Sequence, residues 1–175
     1  MDWNSIDNEY KNDFKPYAED GKYTVTLDSV TLKTTDSGYM IFDFNFAEDE
    51  NYKYPKASRF FFKDEKKNFR AFHYRNIMMV LGASKENAQK AVEACESGKN
   101  REAVADKYVQ AFNRLAQKHP KVEIEVSTEE KGGKSYARGE FHDQSIRFSD
   151  KKDDKKPAEI LPTDDEVNSD LDIPF

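Results

Sequence analysis

Aromatic and basic residues recur side by side in several short stretches of this 175-residue chain. They include Tyr39, then Tyr52-Lys53-Tyr54-Pro55-Lys56, then Arg59-Phe60-Phe61-Phe62-Lys63, and finally Lys131 to Arg138. Rings and cations interleaved on one surface can hold a single polynucleotide strand. The rings offer π-faces to bases, and the ammonium and guanidinium groups take phosphates. The candidate contacts are Lys22, Tyr39, Tyr54, Arg59, Phe61, Lys63, Lys131, Lys134, Tyr136 and Arg138. Each stacked base would contribute about 1–3 kcal/mol, and phosphate contacts would make affinity fall with salt. Phe61 has two open readings: it stacks on a base, or it packs beneath helices that follow it.

A second constellation is Asp170-Leu171-Asp172-Ile173-Pro174-Phe175. Apolar groups gain nothing in a solvated segment, yet Ile173 and Phe175 stand behind a run of carboxylates. Such a tip suits capture by a partner. Ile173 and Phe175 would enter a pocket, Pro174 would stiffen the approach, and Asp170, Asp172 and a terminal carboxylate would meet basic residues.

Other chemistry finds no pattern. Cys95 is the only cysteine, and His73, His119 and His142 lack metal-ligand spacing. Gly132-Gly133 lacks the spacing of a phosphate-binding loop, and no nucleophile elbow occurs. Glu123 and Glu125 read as a solvated strand face. The expectation is a protein that is not an enzyme and uses neither metal nor cofactor.

Net charge is −6, which at first argues against a polyanion. From Asp150 onward nine acids face four bases, a net of −5, so the first 149 residues carry only −1. A near-neutral body can still hold a basic stripe. No apolar run reaches membrane-spanning length, no signal pattern opens the chain, and a lone cysteine fits a reducing compartment. These features imply a cytoplasmic protein without a membrane partner.

The elements that must position these residues read as follows. A first strand runs from about Lys22 to Lys33. Tyr23, Val25 and Leu27 alternate in one register and Val30 and Leu32 in the next, the offset that a β-bulge inserts. A second strand, about Tyr39 to Phe46, has Met40, Phe42, Phe44 and Phe46 on its core face and Tyr39 and Ile41 opposite. A third, about Ala57 to Lys63, has Phe60 and Phe62 inward and Arg59, Phe61 and Lys63 outward. Helical spacing then places Phe69, Phe72, His73, Asn76, Ile77 and Val80 on one face, stopping at Gly82. Ser84 and Asn100 would cap two further helices. Strands around Val122–Val126 and Tyr136–Phe141 flank Lys131-Gly132-Gly133-Lys134, a hairpin turn, and the last strand would continue to Ile146 and Phe148. Trp3, Ile6, Tyr10 and Phe14 suggest a short helical arm packed on the domain.

Three strands, helices, then two strands is the order of an OB-fold. The expected class is therefore mainly β with an α insert: a five-stranded barrel with a helical insert of roughly 50 residues between strands 3 and 4. Residues 1–149 would form this domain. Residues 150–175 would be a disordered acidic tail carrying the interaction tip.

The Asp-Leu-Asp-Ile-Pro-Phe ending resembles the acidic tip of single-stranded DNA-binding proteins (SSBs). Asp20-Gly21-Lys22-Tyr23 and Ser37-Gly38-Tyr39-Met40 are similar to the phage-encoded type. The resemblance implies sequence-independent binding of single-stranded DNA during replication and recombination, in a bacterial host cytoplasm. It also implies recruitment of replication or recombination proteins through the tip. Homo-oligomers are compatible with it. Two other functions fit the same chain: an OB-like adaptor without DNA affinity, and a metal-dependent nuclease with its acids in the insert.

Overall fold

A computed structural model describes residues 1–10 and 15–142. The expected strand continuation to Ile146 and Phe148, Phe14 of the arm, and the tail with its tip all lie outside the described residues. The elements in order are α1 (Trp3–Tyr10), β1 (Gly21–Thr34), β2 (Met40–Phe46), β3 (Ala57–Phe60), α2 (Lys67–Val80), α3 (Lys85–Glu96), α4 (Arg101–Lys118), β4 (Lys121–Lys131) and β5 (Lys134–Phe141). Trp3 is largely exposed and not packed away as expected of the arm.

The five strands make one antiparallel sheet ordered β3-β2-β1-β4-β5. β1 is the hub. Its first half, Gly21 to Thr26, pairs with β4, and its second half, Leu27 to Thr34, pairs with β2. The register shifts between Leu27 and Ser29, where the two alternations of the sequence meet. A bulge bends a strand and increases its twist, so the two halves of the sheet turn toward each other. Where β4 leaves β1, Asn113 of α4 takes over. Its Oδ1 accepts from the Val30 N–H and its Nδ2 donates to the Val30 carbonyl, both at 2.8 Å. A side-chain amide thus stands in for the missing strand.

The sheet's outer members, β3 and β5, also meet. The Gly139 backbone lies so close to the chain entering β3 that an added Cβ would sit 2.2 Å from the Pro55 carbonyl oxygen. Glycine is required there because another backbone fills the space. Arg59 and Glu140 bridge the same seam at 2.6 Å.

The caps fall where the sequence puts them. Ser84 accepts from the Asn87 N–H and Asn100 from the Ala103 N–H. Gly132 and Gly133 have φ of +60° and +78°, the left-handed pair that a two-residue hairpin turn requires. The core joins β2 to α2 and α4: the Phe42 ring packs against Phe61, Tyr74, Tyr108 and Phe112. Each of these rings buries a large area. No helix among the described residues is long and apolar enough to cross a membrane.

Two further expectations fail here. β3 stops at Phe60 and does not continue to Lys63. Beyond it the helices, not a strand, satisfy the backbone: Tyr74, Arg101 and Arg70 donate to the carbonyls of Phe60, Phe61 and Phe62. The α2 face is also rotated. Phe69 and Phe72 point outward, and Arg70, Tyr74, Ile77 and Met78 point inward. Arg70 can be buried because Glu96 meets it at 2.5 Å and Asp64 at 3.0 Å. A paired charge survives where a lone one would not.

Candidate nucleic-acid interface

Strand pairing assigns the residues to faces. On the outer face Lys33, Ile41 and Phe60 form one row, Thr31, Asp43 and Ser58 the next, and Ser29 and Asn45 a third. Tyr39 stands just before β2 beside the first row. Its ring meets Phe60 edge-on, centroids 6.3 Å apart, and the two are 50% and 58% exposed. This is an open aromatic pair on the β2–β3 face. Thr35 supports it, since its Oγ1 accepts from the Tyr39 N–H at 3.1 Å.

The second row carries the charge. Asp43 is buried and accepts from Ser58 Oγ at 2.6 Å and from Lys56 Nζ at 2.9 Å, while Lys33 Nζ lies 3.2 Å away. Burial pushes the Asp43 carboxyl up, but the hydrogen bonds from Ser58, Lys56 and Lys33 outweigh it and hold it below its ordinary value. The hydrogen bond to Asp43 likewise raises Lys56. Lys33 and Lys56 remain about half exposed, so one carboxylate anchors two cations whose outer sides face solvent beside the aromatic pair.

The inner rows are Leu32–Phe42–Arg59 and Val30–Phe44–Ala57. Arg59 therefore shares the face of Phe42, not that of Tyr39. Its guanidinium turns into the β3–β5 seam, 5.7 Å from the Phe141 ring and paired with Glu140. Phe61 is the larger correction. It is 3% exposed, with the guanidinium groups of Arg70 and Arg101 at 4.6 and 5.4 Å from its ring. Of its two readings, packing beneath the helices is the one observed. The outward ring of the run is Phe60, which sequence alternation put inside.

The other candidates disperse. Tyr54 is half-buried, packed on Tyr23 with centroids 5.4 Å apart, and its hydroxyl donates to Asp49 at 2.7 Å. Burial and that carboxylate push its hydroxyl up to about 12. Lys22 is exposed on the half of β1 that pairs with β4, opposite Glu125. Lys63 is exposed just beyond β3. Lys131 and Lys134 face each other at the hairpin tip, and Tyr136, half exposed, lies opposite Glu129. Arg138 is held by Glu129 at 3.3 Å and Glu140 at 3.2 Å. The structure thus joins Tyr39 to Lys56 of the aromatic–basic loop, to Phe60, which alternation put inside, and to Lys33, which the sequence did not single out.

A groove of about 550 Å³ runs along the seam from Ser58 and Phe60 to Arg138, Phe141 and His142. Its two arginines are already compensated by glutamates, so its field is mixed. The β2–β3 face, with two lysines against one carboxylate, is the more cationic. No protein-family model matches the chain, and no curated protein matches it.

Proposed function

We propose that this protein binds single-stranded DNA without sequence preference on the outer face of β2 and β3, with an OB-type barrel as the scaffold. The observation that carries the reading is the exposed Tyr39–Phe60 pair set beside Lys33 and Lys56. Bases of any identity stack on such rings, and adjacent cations follow the backbone. The scaffold reading is supported by the sheet order, the bent first strand and the approach of β3 to β5. In OB-folds the strand 2–3 face is the oligonucleotide surface.

The proposal extends to the residues that follow the domain. The Asp-Leu-Asp-Ile-Pro-Phe segment would recruit a replication or recombination protein, by an apolar plug behind acidic residues.

Anisotropy of labelled oligo-dT tests the main reading. The full chain is expected to bind at low salt, with affinity falling as salt rises. Tyr39→Ala and Phe60→Ala should each cost about 1–3 kcal/mol while leaving the melting temperature nearly unchanged. Absence of binding at low ionic strength overturns the reading and leaves the adaptor function.

A further inference from the structure

α2 turns an aromatic and basic face to solvent that the core does not use. Phe69 and Phe72 are 44% and 41% exposed, although the opposite face of the same helix is packed with Tyr74, Ile77 and Met78. Single exposed apolar residues are ordinary. These two are not single, because they continue an aromatic path that starts on the sheet. Phe60, Phe62 and His73 line one groove. The Phe62 ring meets Phe69 edge-on at 5.1 Å and His73 at 5.6 Å, and Phe69 and His73 lie parallel at 6.1 Å. Phe72 follows Phe69 by three residues, the spacing of neighbours on a helix surface.

The charges along this path differ from those in the seam. Arg59 and Arg138 are each held by a carboxylate. Arg75 has no carboxylate partner among the described residues. Its guanidinium lies 5.1 Å from the Phe72 ring and donates only to Asn76 Oδ1, at 3.1 and 3.3 Å. Lys63, Lys66 and Lys67, at the corner between β3 and α2, are exposed and form no ion pair with a described carboxylate; of the two acids between them, Asp64 is taken by Arg70 and Glu65 is exposed. Exposed rings accompanied by four cations against one free carboxylate, Glu65, fit a polyanion with flat apolar groups. They fit a second protein surface less well, because association would desolvate those cations without a counter-charge.

Resting on the function proposed for the sheet face, we propose that single-stranded DNA leaving the Tyr39–Phe60 pair crosses the β3–α2 corner and continues onto α2, where Phe69 and Phe72 stack bases and Arg75 and Lys63 take phosphates. The helices between β3 and β4 would then lengthen the binding site as well as fill the core. One OB domain covers roughly 4–16 nucleotides, and this path would place the chain toward the upper part of that range.

The test uses the full chain and oligo-dT of two lengths, about 6 and about 20 nucleotides, spanning that range. The double variant Phe69→Ala/Phe72→Ala should bind the short oligonucleotide like the wild type and the long one roughly tenfold or more weakly. Phe72→Tyr should retain long-oligonucleotide binding. Arg75→Gln should flatten the salt dependence for the long oligonucleotide only, a readout that a mere loss of packing would not move. Equal affinity of wild type and double variant at both lengths overturns the α2 path and leaves the sheet face standing. Equal weakening at both lengths also overturns it. If the wild type binds neither length, the DNA reading itself fails. If the double variant loses self-association in sedimentation velocity while DNA binding is unchanged, α2 covers a second copy and the proposal is wrong.

Discussion

Asp43 sets the charge of the β2–β3 face. Its carboxylate holds Ser58, Lys56 and Lys33 in place, yet it also competes with any phosphate for those lysines. Asp43→Asn should keep a hydrogen-bond acceptor for Ser58 while releasing the two ammonium groups. The expected result is tighter oligo-dT binding and a steeper salt dependence, by about 0.7 in log–log slope for each additional phosphate neutralised. Anisotropy titrations across salt concentrations check this, and an unchanged slope would detach the lysines from the site. The same residue makes a pH prediction. Its folded pKa is depressed, so its stabilising contribution is complete above the ordinary carboxylate range. The contribution fades as pH falls through that range toward the lower folded value. Acid unfolding of Asp43→Asn should therefore be less steep than that of the wild type, as thermal melts at a series of pH values would reveal.

At the scale of elements, what matters is how the helices hold β3. Arg70 donates to Glu96, Asp64 and the Phe62 carbonyl, and Tyr108 donates to Glu96 at 2.6 Å. Burial lowers the Arg70 pKa, but the hydrogen bonds to Glu96 and Asp64 outweigh it and leave it raised. The result is a buried hub joining α2, α3, α4 and the end of β3. Removing one partner from such a hub strands the other's charge, so Glu96→Ala should cost about 3–5 kcal/mol of stability. Denaturant unfolding would show it as a lowered midpoint. Since the hub fixes Phe61 under Arg70, the turn that aims Phe60 outward depends on it too. Residual binding in a folded Glu96 variant should fall with the order of that turn.

At the scale of the whole molecule, the proposed function would divide the work between the body and the acidic segment. The described domain carries the aromatic–basic surface, and the excess negative charge lies after it in sequence. If the two act separately, deleting Ile173 to Phe175 should leave oligo-dT affinity within about twofold, a difference under roughly 0.5 kcal/mol, and abolish capture of replication or recombination proteins. Pull-downs that recover the same partners with the shortened chain would remove the tip from the proposal.

Much of this organisation was readable from local physics. The alternation of Met40, Phe42, Phe44 and Phe46 against Asp43 and Asn45 oriented β2. The register change after Ser29 marked the bend of β1, and Ser84 and Asn100 announced their helices. Each of these rests on neighbours within a few residues. The run Arg59-Phe60-Phe61-Phe62-Lys63 holds no such contrast, because three equal rings cannot say which is inside. Phe60 faces out because it pairs with Ile41, and Arg59 turns inward because Glu140, 81 residues later, meets it across the seam. Phe69 and Phe72 fit the inner face of a helix as well as any apolar pair would. They stand outside because Arg70 found its carboxylate on α3. Periodicity and capping are local, so the chain alone decided the order of strands and helices and the bend, but not where β3 ends. Register and charge pairing join distant residues, so the tertiary structure alone decided which rings of the Phe60–Phe62 run and of α2 meet solvent.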